Sequence, residues 1–135
     1  MAEDLQIRRD ITKDLLDRIT SPSKKVREDA VEALAVSTGD PDWRPNELIR
    51  QDGIEIIAAL FHDKNPHIVV SALEIIIATA AAGEEEALIE AGVIALLDQI
   101  QDHKDPLVQK KVQEALWLLE PGVEEVMTSR PEDDY

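Results

Sequence analysis

The side chains of this chain that could do chemistry are carboxylates and a few imidazoles: 29 Asp and Glu, three His and no Cys. Without cysteine there is no thiol nucleophile, no disulfide and no thiolate metal site. His62, Asp63 and His67 lie close enough together to raise a zinc site, but their spacing follows none of the usual ligand patterns. His62 and His103 fall in nearly equivalent loops of a repeating sequence, so turn chemistry explains them better than metal binding. Glu84, Glu85 and Glu86 open a helix, where negative charge answers the positive end of the helix dipole. Ser and Thr sit at helix ends and turns, which capping accounts for. No nucleophile–base set, phosphate-cradling glycine loop or HExxH pair is present. The expectation is a non-enzymatic chain with no catalytic residue, no cofactor and no metal.

Charge narrows the partners. A net charge of -15 repels nucleic acid, whose binding needs Lys and Arg to displace counterions, and it repels an anionic membrane surface. Such a charge keeps a protein dispersed, and it also suits a partner with a basic segment. No stretch reaches the roughly 18 apolar residues of a membrane helix, and MAEDLQIRRD has no apolar signal core. The expected location is cytoplasmic.

The elements that must position any site are helices. With 135 residues and 3% aromatics, one domain with a core of Leu, Ile, Val and Ala is expected. Leu5, Ile11, Leu15, Leu16 and Ile19 recur at helical spacing over Asp4–Thr20. Ser23 is placed to cap a helix over Lys24–Ser37, on which Val26, Ala30, Ala33 and Leu34 are expected to form one face. Pro41 and Pro45 forbid a long helix between Asp40 and Asn46, and short helices follow over Pro45–Gln51 and Ile54–Phe61 around a turn at Gly53. Asn65 caps Pro66–Ala82, Gly83 and Gly92 bound another short helix, Val93–Ile100 follows, and Asp105 caps Pro106–Leu119. No segment alternates as a strand does, so the fold class is all-α.

Three long segments align in register: KVREDAVEALAV from Lys25, HIVVSALEIIIA from His67 and LVQKKVQEALWL from Leu107. Val26, Ile68 and Val108 correspond, 42 and then 40 residues apart, as do Ala30, Ala72 and Val112. NELIRQDGIEIIAAL and EALIEAGVIALLDQI match as well, through Gly53 and Gly92. A period near 40 is the mark of a helical repeat array. These residues resemble the armadillo repeat family, with Gly83–Leu119 the nearest to a consensus unit and HEAT repeats the neighbouring alternative. The resemblance implies a right-handed α–α superhelix, an armadillo/HEAT-like solenoid of about three repeats over 1–128. Its units are 4–38, 39–82 and 83–120, with a partial cap at 121–128 and a disordered acidic tail at 129–135. The Asp40–Pro45 insertion is assigned to the H1/H2 loop of the divergent first unit.

In such a solenoid the third helices line a concave face that takes an extended peptide or a helix of a partner. The groove Trp and Asn of importin-like members fall at Glu32, Glu74 and Glu114 and at Val36, Ala78 and Leu118, so their peptide-reading ladder is missing here. What replaces it is a row of carboxylates beside an apolar strip, suited to a basic or amphipathic segment. Trp117 is either an exposed anchor or half-buried beneath the C-terminal turn around Val123 and Val126, and burial is the expectation. Trp43 either pins its loop or anchors a partner. The expected function is a protein-interaction adaptor or scaffold. The alternative is a structural module that self-associates, as a homo-oligomer, through an exposed solenoid end.

Overall fold

The computed structural model describes residues 2–120, with side chains from residue 11 onward. Eight α-helices follow one another: α1 (Ala2–Ile19), α2 (Lys24–Ser37), α3 (Asn46–Arg50), α4 (Gly53–Ala58), α5 (Pro66–Ala81), α6 (Glu85–Glu90), α7 (Val93–Gln99) and α8 (Pro106–Leu119). A 3₁₀ turn over Ala59–His62 prolongs α4. There is no strand among the described residues, and the chain is an all-α solenoid. The cap expected at 121–128 and the tail at 129–135 lie outside the described residues.

The three long helices begin in the same way. A helix leaves its first N–H groups without carbonyl partners, and a short polar side chain at the cap can accept from them. Ser23 accepts from the N–H of Val26 (3.4 Å), Asn65 from that of His67 (3.0 Å) and Asp105 from those of Leu107 and Val108 (2.8 and 3.3 Å). Two residues upstream a second acceptor holds the cap's own N–H: Ser21 to Ser23 (3.1 Å), Asp63 to Asn65 (2.9 Å) and His103 Nδ1 to Asp105 (3.0 Å). Both acceptor positions repeat with the spacing of the long helices. His103 therefore corresponds to Asp63, and not to His62 as the sequence reading had it.

A second correction concerns the turns between the short helices. The left-handed residues are Asp52 (φ 57°) and Gly92 (φ 81°), so Asp52 is the partner of Gly92. Gly53 lies one residue on and is Gly for a different reason. A Cβ there would stand 2.4 Å from Leu48 Cδ1 and 2.8 Å from the Leu48 carbonyl. The insertion is also elsewhere than expected: residues 38–45 join α2 to α3, where residues 82–84 join α5 to α6.

Burial fixes how the long helices lie. α5 packs between α2 and α8, and α1 packs on α2. Positions Ala30, Ala72 and Val112 are buried in all three long helices and face the core. Val26 is 38% exposed and Ala33 is exposed, whereas their counterparts Ile68, Val108, Ile75 and Ala115 are buried. On α2 these two positions are left open to solvent. The buried face of α2 is Ala30, Val31 and Leu34, and not the set of Val26, Ala30, Ala33 and Leu34 expected from periodicity. On the other side, Val31 and Leu73 are buried, but Gln113 at the equivalent place on α8 is exposed.

The first joint of the stack is polar. Arg27 donates through Nε to Asp63 Oδ2 (3.1 Å), and through its terminal nitrogen to the carbonyls of Ser21 and Pro22 (3.1 and 3.0 Å). One guanidinium thus ties the loop before α2 to the loop before α5, with 22% of Arg27 and 10% of Asp63 side chain exposed.

Candidate partner-binding face

Equivalent positions on α2, α5 and α8 come from helices of which α5 packs against both others. Glu32, Glu74 and Glu114 occupy one such set, with Val36, Ala78 and Leu118 one turn later. Glu32 and Glu114 are exposed, and Val36 is 73% exposed. Glu74, Ala78 and Leu118 are half-buried. The face therefore holds carboxylates and small or apolar side chains in alternation.

Its electrostatics are less uniform than the sequence implied. Lys111 of α8 reaches across to α5 and meets Glu74 (Nζ to Oε2, 3.7 Å). Its equivalents are Ser71 on α5 and Asp29 on α2. Asp29 is held by Lys25 on its own helix at 3.2 Å. Glu32 and Glu114 meet no cation among the described residues, so the uncommitted negative charge sits on the two outer helices. Lys111 was missed in the sequence because its repeat column, Asp29–Ser71–Lys111, changes sign along the array and carries no pattern.

Trp117 is 55% exposed; Val123 and Val126, named as its cover in the sequence reading, lie outside the described residues. Its counterparts, Ala35 and Ile77, are half-buried between helices, so Trp117 stands at the edge of the face on the last described helix. Trp43 is half-buried and packs against the core from the 38–45 loop. Leu107, 48% exposed, opens the same helix as Trp117.

The histidines are spread apart in role. His103 Nδ1 serves the turn, His62 ends the 3₁₀ turn in solvent, and Asp63 spends one oxygen on Arg27 and the other on Asn65. No group of three His, Asp or Glu among the described residues is arranged to hold a metal ion. What the face offers a partner is hydrogen-bond acceptors, negative charge and apolar contact.

The sequence matches no protein-family model and no curated protein. Solved structures do match. An engineered protein is 24% identical with a TM-score of 0.74, over 82% of this chain and 46% of that one. A designed armadillo repeat protein is 26% identical with a TM-score of 0.69, over 78% and 45%. A designed armadillo repeat protein in complex with the peptide (KR)4 is 24% identical with a TM-score of 0.71, over 81% and 46%.

The fold is armadillo-like.

The armadillo-like chain spans less than half the length of each of these three proteins. Among the described residues of this armadillo-like stack, no helix is long and apolar enough to cross a membrane.

Proposed function

We propose that the chain is a non-enzymatic adaptor that captures a basic segment of another protein on the face formed by α2, α5 and α8. The observation that carries the reading is the packing of α5 between α2 and α8. It supports a shared surface for Glu32, Glu74 and Glu114, of which Glu32 and Glu114 meet no cation among the described residues. A Lys or Arg side chain laid over Glu32 or Glu114 gains a charge-assisted hydrogen bond, and its methylene stem covers Val36 or Leu118. Over α5 the partner meets a carboxylate already paired with Lys111, and contact there falls to Ala78. Steering by a chain of net charge -15 raises the rate at which a cationic segment arrives. The designed armadillo repeat protein solved with (KR)4 supports a cationic peptide as the class of partner.

The alternative, self-association through the C-terminal end of the stack, has an observation against it. Gln109 and Gln113 are exposed on α8 where α5 buries Val69 and Leu73, so that side of α8 lacks the apolar contact that joins the long helices.

The test is fluorescence anisotropy with labelled (KR)4 against wild type and a Glu32→Lys/Glu114→Lys variant. These two positions are exposed, so the variant folds. Affinity for the wild type falls as salt rises, and the variant binds about tenfold more weakly or worse, a loss of about 1.4 kcal/mol. Binding that persists unchanged in the variant removes the proposal.

A further inference from the structure

A cleft of about 570 Å³ opens between α1, the C-terminal end of α2, the 38–45 loop and α3, and its lining shares no residue with the face just described. Ile11, Leu15, Leu34 and Trp43 are its apolar lining. The joint between α2 and α3 is long: residues 38–45 carry Trp43, where residues 82–84 form the corresponding joint before α6. Ile11 is 54% exposed at its edge. The volume lies within the range of roughly 300–1,000 Å³ of side-chain and small-molecule sites.

The charges at the rim are unequal in how far they are committed. Arg44 donates to the carbonyls of Pro41 and Trp43 (3.2 and 2.8 Å), and Arg50 to Glu47 Oε2 (3.1 Å). The Asp40 carboxylate accepts from the backbone N–H of Asp42 (2.8 Å), and neither Asp40 nor Asp42 meets a cation among the described residues. Both described arginines at the rim are held by these hydrogen bonds, and three carboxylates, Asp40, Asp42 and Glu47, outnumber the two guanidiniums on the described lining. The excess negative charge stands beside an indole ring, which itself favours a cation.

We propose that this cleft is a second docking site, which takes one large apolar side chain together with a Lys or Arg one helical turn away, both presented by a helical segment of another protein. The apolar side chain fills the space over Ile11, Leu15 and Leu34 against Trp43. The cation meets Asp40 and Asp42. An apolar ligand without a cation leaves the two carboxylates unanswered, and an anionic one is repelled by them.

Trp43 supplies the readout. The chain has two Trp, so a Trp117→Phe variant leaves Trp43 as its sole indole. The probe is a short Trp-free helical peptide based on Ala, with Phe at one position and Lys one turn later. Its controls carry Glu in place of Lys, or Ala in place of Phe. The Phe/Lys peptide shifts Trp43 emission saturably, and each control binds about tenfold more weakly or worse. Ile11→Asp and Asp42→Lys each weaken the Phe/Lys peptide by a similar factor, with circular dichroism confirming that each variant is folded. Excess (KR)4 does not displace the peptide. Four results overturn the proposal: Lys and Glu peptides that bind alike, affinity unchanged in both variants, displacement by (KR)4, or Trp43 emission that changes with protein concentration alone. The last assigns the cleft to a second copy of the chain.

Discussion

Replacing Arg27 with Ala is expected to cost this stack about 2–3 kcal/mol. The figure starts from the roughly 3–5 kcal/mol lost when one member of a buried ion pair is deleted and the other is stranded. Asp63 would be so stranded, with only 10% of its side chain exposed. The value is reduced for two reasons. Arg27 keeps 22% exposure, and the Ser21 and Pro22 carbonyls lie near solvent and regain water when the guanidinium is gone. At about 3–5 °C per kcal/mol for a domain of this size, the melting temperature falls by roughly 6–15 °C. Arg27→Lys recovers part of the loss, since one ammonium cannot reach Asp63 and two carbonyls in the planar geometry of a guanidinium. Asp63→Asn is the partner variant, because its amide oxygen can still accept from the Asn65 N–H. Urea denaturation of the two single variants and the double variant gives the coupling energy, expected at about 1–2 kcal/mol. The pair is shielded, so added salt changes that coupling little. A coupling near zero, or a loss below about 0.5 kcal/mol for Arg27→Ala, would show that the two loops are held together by something else.

Three further outcomes follow from particular residues. Asp52→Gly relieves a left-handed backbone and is expected to stabilise the chain by about 0.5–1 kcal/mol, read as a melting temperature higher by a few degrees; a lower melting temperature refutes the strain argument. Gly53→Ala, one residue on, is expected to destabilise by about 1–3 kcal/mol in urea denaturation, because its Cβ meets the Leu48 carbonyl at 2.8 Å and backbone has to move. His103→Asp keeps an acceptor for the Asp105 N–H and stays within about 0.5 kcal/mol of wild type in the same assay, while His103→Ala loses about 0.5–1.5 kcal/mol; equal losses would mean that the imidazole has a task besides the turn.

Much of the architecture was legible because its signals are local. Ser23, Asn65 and Asp105 cap long helices as their residue types and following apolar runs implied, and each long helix ends within a residue of where it was expected. The misreadings have one physical source. Gly was taken as the marker of the left-handed turn, yet Asp also tolerates that conformation, and in the second unit Asp52 adopts it while Gly53 answers a steric demand. Likewise Val26 and Ala33 satisfy helical periodicity, but whether a periodic apolar residue is buried depends on the neighbour standing beside it. Of the candidate face, the shared register of Glu32, Glu74 and Glu114 could be read from the repeat. The neutralisation of Glu74 by Lys111 could not, since the two are 37 positions apart and meet only through packing.

The sequence by itself determined that the chain is helical, that it repeats, where its long helices start, and that its net charge is strongly negative. Each of these depends on interactions within a few residues or on a sum over all of them. Tertiary structure alone decided which carboxylates remain available, that Arg27 bridges two loops, that Trp117 is exposed, and that a cleft lies beside the long link before α3. Those properties belong to pairs of residues far apart in the chain, and a side chain's solvation and charge partner are set only when packing has chosen its neighbours.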